Sequence, residues 1–180
     1  MALDPAQLRS LLQTQESDDL TARPLLTMVA NDPANAAELV PHLGESGLAA
    51  RNARRMLGAF GADAVPVVVA TAATLSDART RREALEIVWT LLVAEDELTV
   101  RRMIAAAGDG LRVLLDDRTS APEDRPDHIE VDFHGRVCDY AYLLIQKLLD
   151  RSVDQSAFRS RDDVDRDADI RTLWLPDTIG

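Results

Sequence analysis

An all-α fold built as a row of stacked helix pairs is the class this sequence predicts, and three observations predict it. Within 51–93 (RNARRMLGAFGADAVPVVVATAATLSDARTRREALEIVWTLLV) one helical pattern occurs twice. Ala53, Met56, Leu57 and Phe60 share a face, and Ala84, Val88, Leu91 and Leu92 share one 31 residues further on. Self-similarity at that period marks a helical array, in which each helix pair buries its apolar face only by stacking on its neighbours. No segment sustains the period-2 alternation of a half-buried strand. Asp-Pro, Ser-Asp and Gly signals punctuate the chain at helix spacing.

Asp4-Pro5 opens the first helix, with Asp as cap and Pro at the first helical position, and Leu8, Leu11 and Leu12 form its apolar stripe. Ser17-Asp18-Asp19 caps a second segment over 20–30, broken or kinked near Pro24. Asp32-Pro33 repeats the opening signal for a short helix over 36–43, which ends near Pro41 and Gly44. Ser46 starts a helix that runs to Phe60, with Gly61 as its stop. The clearest pair spans 62–75 and 78–94. Val65, Val68 and Val69 are β-branched and also suit a strand, but the TAATL that follows and the flanking helices make this segment helical. Glu95-Asp96 caps a helix through Ala107, Gly108-Asp109-Gly110 ends it, and a short helix follows over 111–116.

Residues 117–132 (DRTSAPEDRPDHIEVD) read as an acidic loop with two prolines and no periodicity, of a length that is usually functional or mobile. The strongest single helix, 135–150, carries Val137, Ala141, Leu144, Ile145 and Leu148 on one face. The remainder, 151–180, is a polar C-terminal cap with a modest helix near 163–173. There Leu173-Trp174-Leu175, followed by Pro176, is expected to fold back over the open end of the array.

At 180 residues the chain is read as a single domain, 1–180. Hydrophobic residues make up 46% and aromatic residues only 4%, so the core is expected to consist of Ala, Leu and Val. No apolar run reaches the roughly 18–20 residues that span a bilayer, and MALDPAQLRS lacks the regions of a signal peptide. The one cysteine, Cys138, excludes an internal disulfide and fits a cytoplasmic location. It lies in an apolar helical run, as a small core residue would.

The net charge of −11 makes nucleic acid an unfavourable partner, because that affinity rests on neutralising phosphates. Charge is nevertheless uneven: 114–133 carries seven acids against two bases, and 51–82 carries six arginines against two acids. Nineteen of the twenty basic residues are Arg, which favours planar multidentate contacts and is also what a GC-rich genome produces.

The segment AARNARRMLGAFGADAVPVVVATAATLSDARTRREALEIVWTLL resembles HEAT-type repeats of the bacterial, short-helix variety. The resemblance lies in Ala64-Val65-Pro66 at the start of one helix, Leu75 at its end and Asp77 in the turn, with Arg82 and Ala84 near the start of the next helix. A weaker likeness runs through GRVCDYAYLLIQKLL, preceded by Asp132, with Arg136 in the place of the repeat arginine. Loosely at both ends, the likeness covers about two thirds of the chain. It implies a right-handed α-α superhelix, a HEAT-like solenoid acting as an interaction scaffold, and transfers no catalytic residue. HEAT-type metal hydroxylases carry repeated His-Glu pairs, and this chain has no His-Glu dipeptide.

Nor does the chain contain H-E-x-x-H, a Cys pair, G-x-G-x-x-G, a P-loop or G-x-S-x-G. His128, Glu130, Asp132 and His134 lie close together and are read as a solvated acidic loop, not a metal site. The expectation is therefore a non-enzymatic chain without cofactor or metal, away from membranes, that binds a protein partner through its concave face or its acidic loop. An alternative is an immunity or antitoxin-like protein whose acidic loop blocks a basic toxin. A further alternative is a HEAT-like subunit of an enzyme.

Arg51, Arg54, Arg55, Arg79, Arg81, Arg82, Arg101 and Arg102 cluster near successive helix starts. They are read either as a ridge that grips an acidic partner or as a ladder bonded to turn acids such as Asp77, Glu95 and Asp96. Trp89, Tyr140 and Tyr142 border the apolar stripes as candidate contact residues. Asp124 and Asp127 are the candidate contacts of the acidic loop.

Overall fold

Short polar side chains followed by helix formers set the starts of most helices. In the computed structural model, which describes residues 4–13, 32–121, 135–149 and 154–173, the Asp4 carboxylate accepts from the Ala6 N–H at 3.2 Å and opens α1 (Pro5–Leu12). Asp32 does the same for Ala34 at 3.1 Å, starting the 3₁₀ turn Pro33–Asn35. One short helix, α2 (Ala36–Leu39), follows and tightens into a second 3₁₀ segment, Val40–Gly44, where Pro41 has no N–H to continue the α ladder. Gly44 ends it pressed against the start of the fifth helix, where a Cβ would collide with Thr80 Oγ1 and the Asp77 carboxylate.

α3 (Leu48–Leu57) is shorter than the 46–60 expected. Gly47, at φ 74°, occupies the cap position ahead of Leu48, and Gly58, not Gly61, follows the last helical residue. Phe60 is still drawn into the core by a turn in which its N–H donates to the Leu57 carbonyl at 3.1 Å. A 3₁₀ turn, Ala62–Ala64, leads into α4 (Val65–Thr74), in which Val65, Val68 and Val69 are helical and buried. Asp77 caps α5 (Ala78–Leu92) through Thr80 N at 2.8 Å, and Asp96 caps α6 (Glu97–Ala106) through Thr99 N at 3.0 Å.

α7 (Gly108–Asp116) corrects the expected stop at Gly108-Asp109-Gly110: these residues form its first turn. Close packing explains the glycine, because a Cβ on Gly110 would sit 2.8 Å from Val69 Cγ1 and 3.2 Å from the Val69 backbone. α8 (Val137–Leu148) starts at Arg136, whose N–H donates to the Asp139 carboxylate at 2.9 Å. α9 (Gln155–Arg159) and α10 (Asp163–Arg171) are capped by Asp154 and Asp162. Every regular element among the described residues is helical; the one β-type contact is an isolated bridge between Ser120 and Arg136.

α4 pairs with α5 and α7 with α8, while α4 also lies on α7 and α5 on α8. Ahead of this layer, α3 packs on α1, and the Val40–Gly44 segment wedges between α3 and α5. Asn52 of α3 donates to the Leu11 and Leu12 carbonyls at 3.3 and 3.0 Å, satisfying the end of α1 from another helix. All eight residues of the repeated stripe are buried. α8 is not buried on one face alone. Cys138, Asp139, Tyr142, Leu143 and Gln146 are covered as well, because α5, α7 and α10 pack around it. No single helix among the described residues is long and apolar enough to cross a membrane.

Candidate functional site

Two helical stripes that face each other define a cleft between α5 and α8. Arg82, Leu85, Glu86, Trp89 and Thr90 line it from α5, and Tyr140, Leu143, Leu144 and Lys147 from α8; Gln155 and Arg159 of α9 close one side. Its volume is about 460 Å³ and it is open to solvent. The spacing on both helices is i, i+3/i+4, i+7, so each contributes one continuous strip of surface.

The electrostatic frame is a trio in which Arg82 and Glu83 are buried and Arg54 is partly exposed. The Arg82 guanidinium donates to Glu83 Oε1 at 2.6 Å, and Arg54 Nε reaches across from α3 to Glu83 Oε2 at 2.8 Å. Burial acts to raise the Glu83 pKa, but the bonds from Arg54 and Arg82 prevail and hold it below the usual carboxylate range. Burial likewise acts to lower the Arg82 pKa and is overcome by Glu83, so this guanidinium stays charged in the protein interior. The Arg82 side chain also lies over Tyr140, 5.9 Å from the ring centroid. At the cleft's outer edge the Lys147 ammonium sits 3.9 Å from the centroid of the Trp89 ring.

α9 is held in place from below and from the side. Phe158 is buried and stacks on Tyr142, with centroids 4.7 Å apart and planes inclined by 19°. Beyond it, α10 is clamped to α8 by charge. Asp139, fully buried, accepts from Arg136 at 2.9 Å and faces Arg166 at 3.5 Å. Asp167 bridges Arg136 at 2.9 Å and Arg118 at 3.0 Å, and Asp163 pairs with Arg166. Burial opposes the charge on Arg136, but Asp139 outweighs it and raises the pKa.

The predicted contact residues separate on this frame. Trp89 and Tyr140 both line the cleft. Tyr142 does not: its ring is in the core against Phe158, because the C-terminal segment covers the face that the sequence leaves uncovered. Arg51 lies exposed on α3, whereas Arg54 is committed to Glu83. Asp124 and Asp127 lie outside the described residues, as do His128, Glu130 and His134.

The arginine cluster resolves largely into intramolecular pairs. Besides the Glu83 trio, Arg81 bonds Asp117 and the Leu75 carbonyl, Arg101 bonds Glu97 at 2.8 Å, and Arg102 approaches Asp63 at 3.9 Å. Asp77 and Asp96, also offered as rungs of that ladder, cap α5 and α6, as the Glu95-Asp96 signal predicts for the second of them. Asp117 is thus a structural anchor at the root of the acidic loop. Burial acts to raise its pKa, but hydrogen bonds from Thr119 and Arg81 lower it.

No sequence motif marks Lys147, Gln155, Arg159 or Leu143 as site residues. The Arg82-Glu86-Trp89 and Tyr140-Leu144-Lys147 spacings were the available signal, obscured by the stronger apolar stripes beside them. Cys138 is a core thiol, fully buried, and burial together with the adjacent Asp139 charge pushes its pKa up to about 11. His42 pairs with Glu45 at 2.6 Å, and no group of three metal-ligating side chains occurs among the described residues. Comparison with protein-family models, curated proteins and solved structures finds no match to this chain.

Proposed function

We propose that this chain is a non-enzymatic binding scaffold whose helix pairs form a HEAT-like solenoid, and that a protein partner docks in the α5–α8 cleft. The observation that carries this reading is the cleft itself. Trp89 and Tyr140, amphipathic rings of the kind enriched at protein interfaces, stand on adjacent parallel strips above an apolar floor of Leu85, Leu143 and Leu144. The stacking of α4 on α7 and of α5 on α8 supports the repeat arrangement, since like helices of successive pairs meet.

Site-directed photo-crosslinking in the native host tests it. A photoreactive residue at Thr90, exposed within the cleft, is expected to capture a discrete protein adduct. The same residue at Val113, exposed on α7 outside the cleft, is expected to capture none. Identical products from both positions, or none from Thr90, would exclude the cleft as the docking surface.

A further inference from the structure

We propose that the occupant of the cleft is an acidic peptide segment, with its carboxylates answered by Lys147 and Arg159 and its apolar side chains seated on the leucine floor. This rests on the reading of the cleft as the partner site. The lining carries three cations, Arg82, Lys147 and Arg159, against one carboxylate, Glu86, on a chain whose net charge is −11. A cationic strip on so acidic a molecule is contrary to its composition and selects an anionic occupant by charge complementarity.

The three cations are not equivalent. Arg82 is buried and paired with Glu83, which offsets its charge, so the exposed Lys147 and Arg159 carry the complementarity. Lys147, the only lysine in the chain, makes no ion pair among the described residues; its ammonium rests on the Trp89 face. An exposed ammonium on a flexible stem can leave an aromatic face for a carboxylate at small cost. Arg159 stands on α9 and Lys147 on α8, so a ligand lying across the floor meets charge on two elements. Leu85, Leu143 and Leu144 give that ligand apolar contact as well as charge, which a bare phosphate does not exploit. The volume falls within the roughly 300–1,000 Å³ of ligand sites, but the cleft is open, which suits an extended segment more than an enclosed small molecule.

Fluorescence titration tests the assignment. In a Trp174→Phe chain Trp89 is the sole indole, so its emission reports on the cleft. An alternating Glu-Leu peptide is expected to shift that emission, with a midpoint that weakens as salt is raised. Lys147→Glu and Arg159→Glu should each weaken the midpoint about tenfold or more, whereas Arg112→Glu on α7 should leave it unchanged. Matching Lys-Leu and Gln-Leu peptides, inorganic phosphate and an oligothymidylate serve as competing probes.

If the Lys-Leu or Gln-Leu peptide binds as tightly as the Glu-Leu peptide, the anionic assignment is overturned and the cleft remains a docking surface. Equal binding of phosphate or the oligonucleotide would overturn the peptide assignment in favour of a phosphate ligand. If no probe shifts Trp89 while Thr90 still crosslinks a partner, the acidic occupant is wrong and the docking site stands. Failure of both measurements removes the docking site too.

Discussion

Arg54 on α3 and Glu83 on α5 meet at 2.8 Å, and this contact links the first repeat-like helix to the second while Glu83 also pairs with Arg82 beside the cleft. Glu83 sits between two guanidiniums, so it is the group on which both depend. Replacing it by Gln leaves two cations, one of them buried, without their counter-ion. Loss of one partner from a buried pair typically costs ~3–5 kcal/mol, and chemical denaturation of Glu83→Gln should show a drop of that order. A change below about 0.5 kcal/mol would mean that solvent already screens the trio.

The same carboxylate gives the protein an acid limit. Its folded pKa is depressed, as are those of Asp77, through its bond from Thr80, and Asp117. Groups of this kind contribute stability that is present above their unfolded pKa values, about 4, and lost as pH falls through the lower folded values. Unfolding free energy should therefore be nearly flat above about pH 5 and decline below about pH 4. Glu83→Gln should show a shallower decline.

Two neighbouring glycines in α7 should respond oppositely to the same substitution. Gly110→Ala forces a Cβ into Val69 and should cost ~1–3 kcal/mol as α4 and α7 are pushed apart. Gly108→Ala meets nothing nearer than Arg112 Nη1 at 3.7 Å and should be neutral or stabilising by up to about 1 kcal/mol. Thermal melts of the pair check this; equal shifts would contradict the close α4–α7 approach.

Packing of the repeated stripe is tested at Ala84, which is 1% exposed. Ala84→Asp places an unpaired charge between stacked helices and should unfold or aggregate the protein. Val113→Asp, at a site that is 51% exposed, should scarcely move the melting curve. Similar curves for both would deny that the stripe is a packing face.

Cys138 should be inert until the protein opens. It is buried, and its pKa of about 11 leaves roughly one thiolate in a thousand at pH 8. A disulfide reagent should label it fast in denaturant and hardly at all in the native protein. Prompt native labelling would show that the α8 region opens readily.

Sequence by itself determined the helical class and most of its punctuation, because those signals are local. The Asp4, Asp32, Asp77 and Asp96 caps are bonds to residues two or three positions on, and the Ala53–Leu57 and Ala84–Leu92 stripes are patterns within single helices. Local signals failed where a distant element intervened. Gly108 and Gly110 read as a stop, yet Gly110 is where α7 packs against Val69 of α4. Tyr142 read as a border residue until Phe158 covered it. Arg54 and Arg81 read as members either of a ridge or of a ladder to turn acids, and only the approach of α3 to α5 and of the 117–121 segment to α5 assigned them to Glu83 and Asp117. Trp89 and Tyr140 were legible as candidate contacts, but the cleft they line belongs to this second category. Trp89 and Lys147 carry no shared motif and lie far apart in the chain, and their contact exists because burial of the α5 and α8 apolar stripes sets those helices side by side. Hydrophobic periodicity tells a helix which face to bury, whereas the partner that covers it, and the charges brought along its edges, follow from how the helices stack.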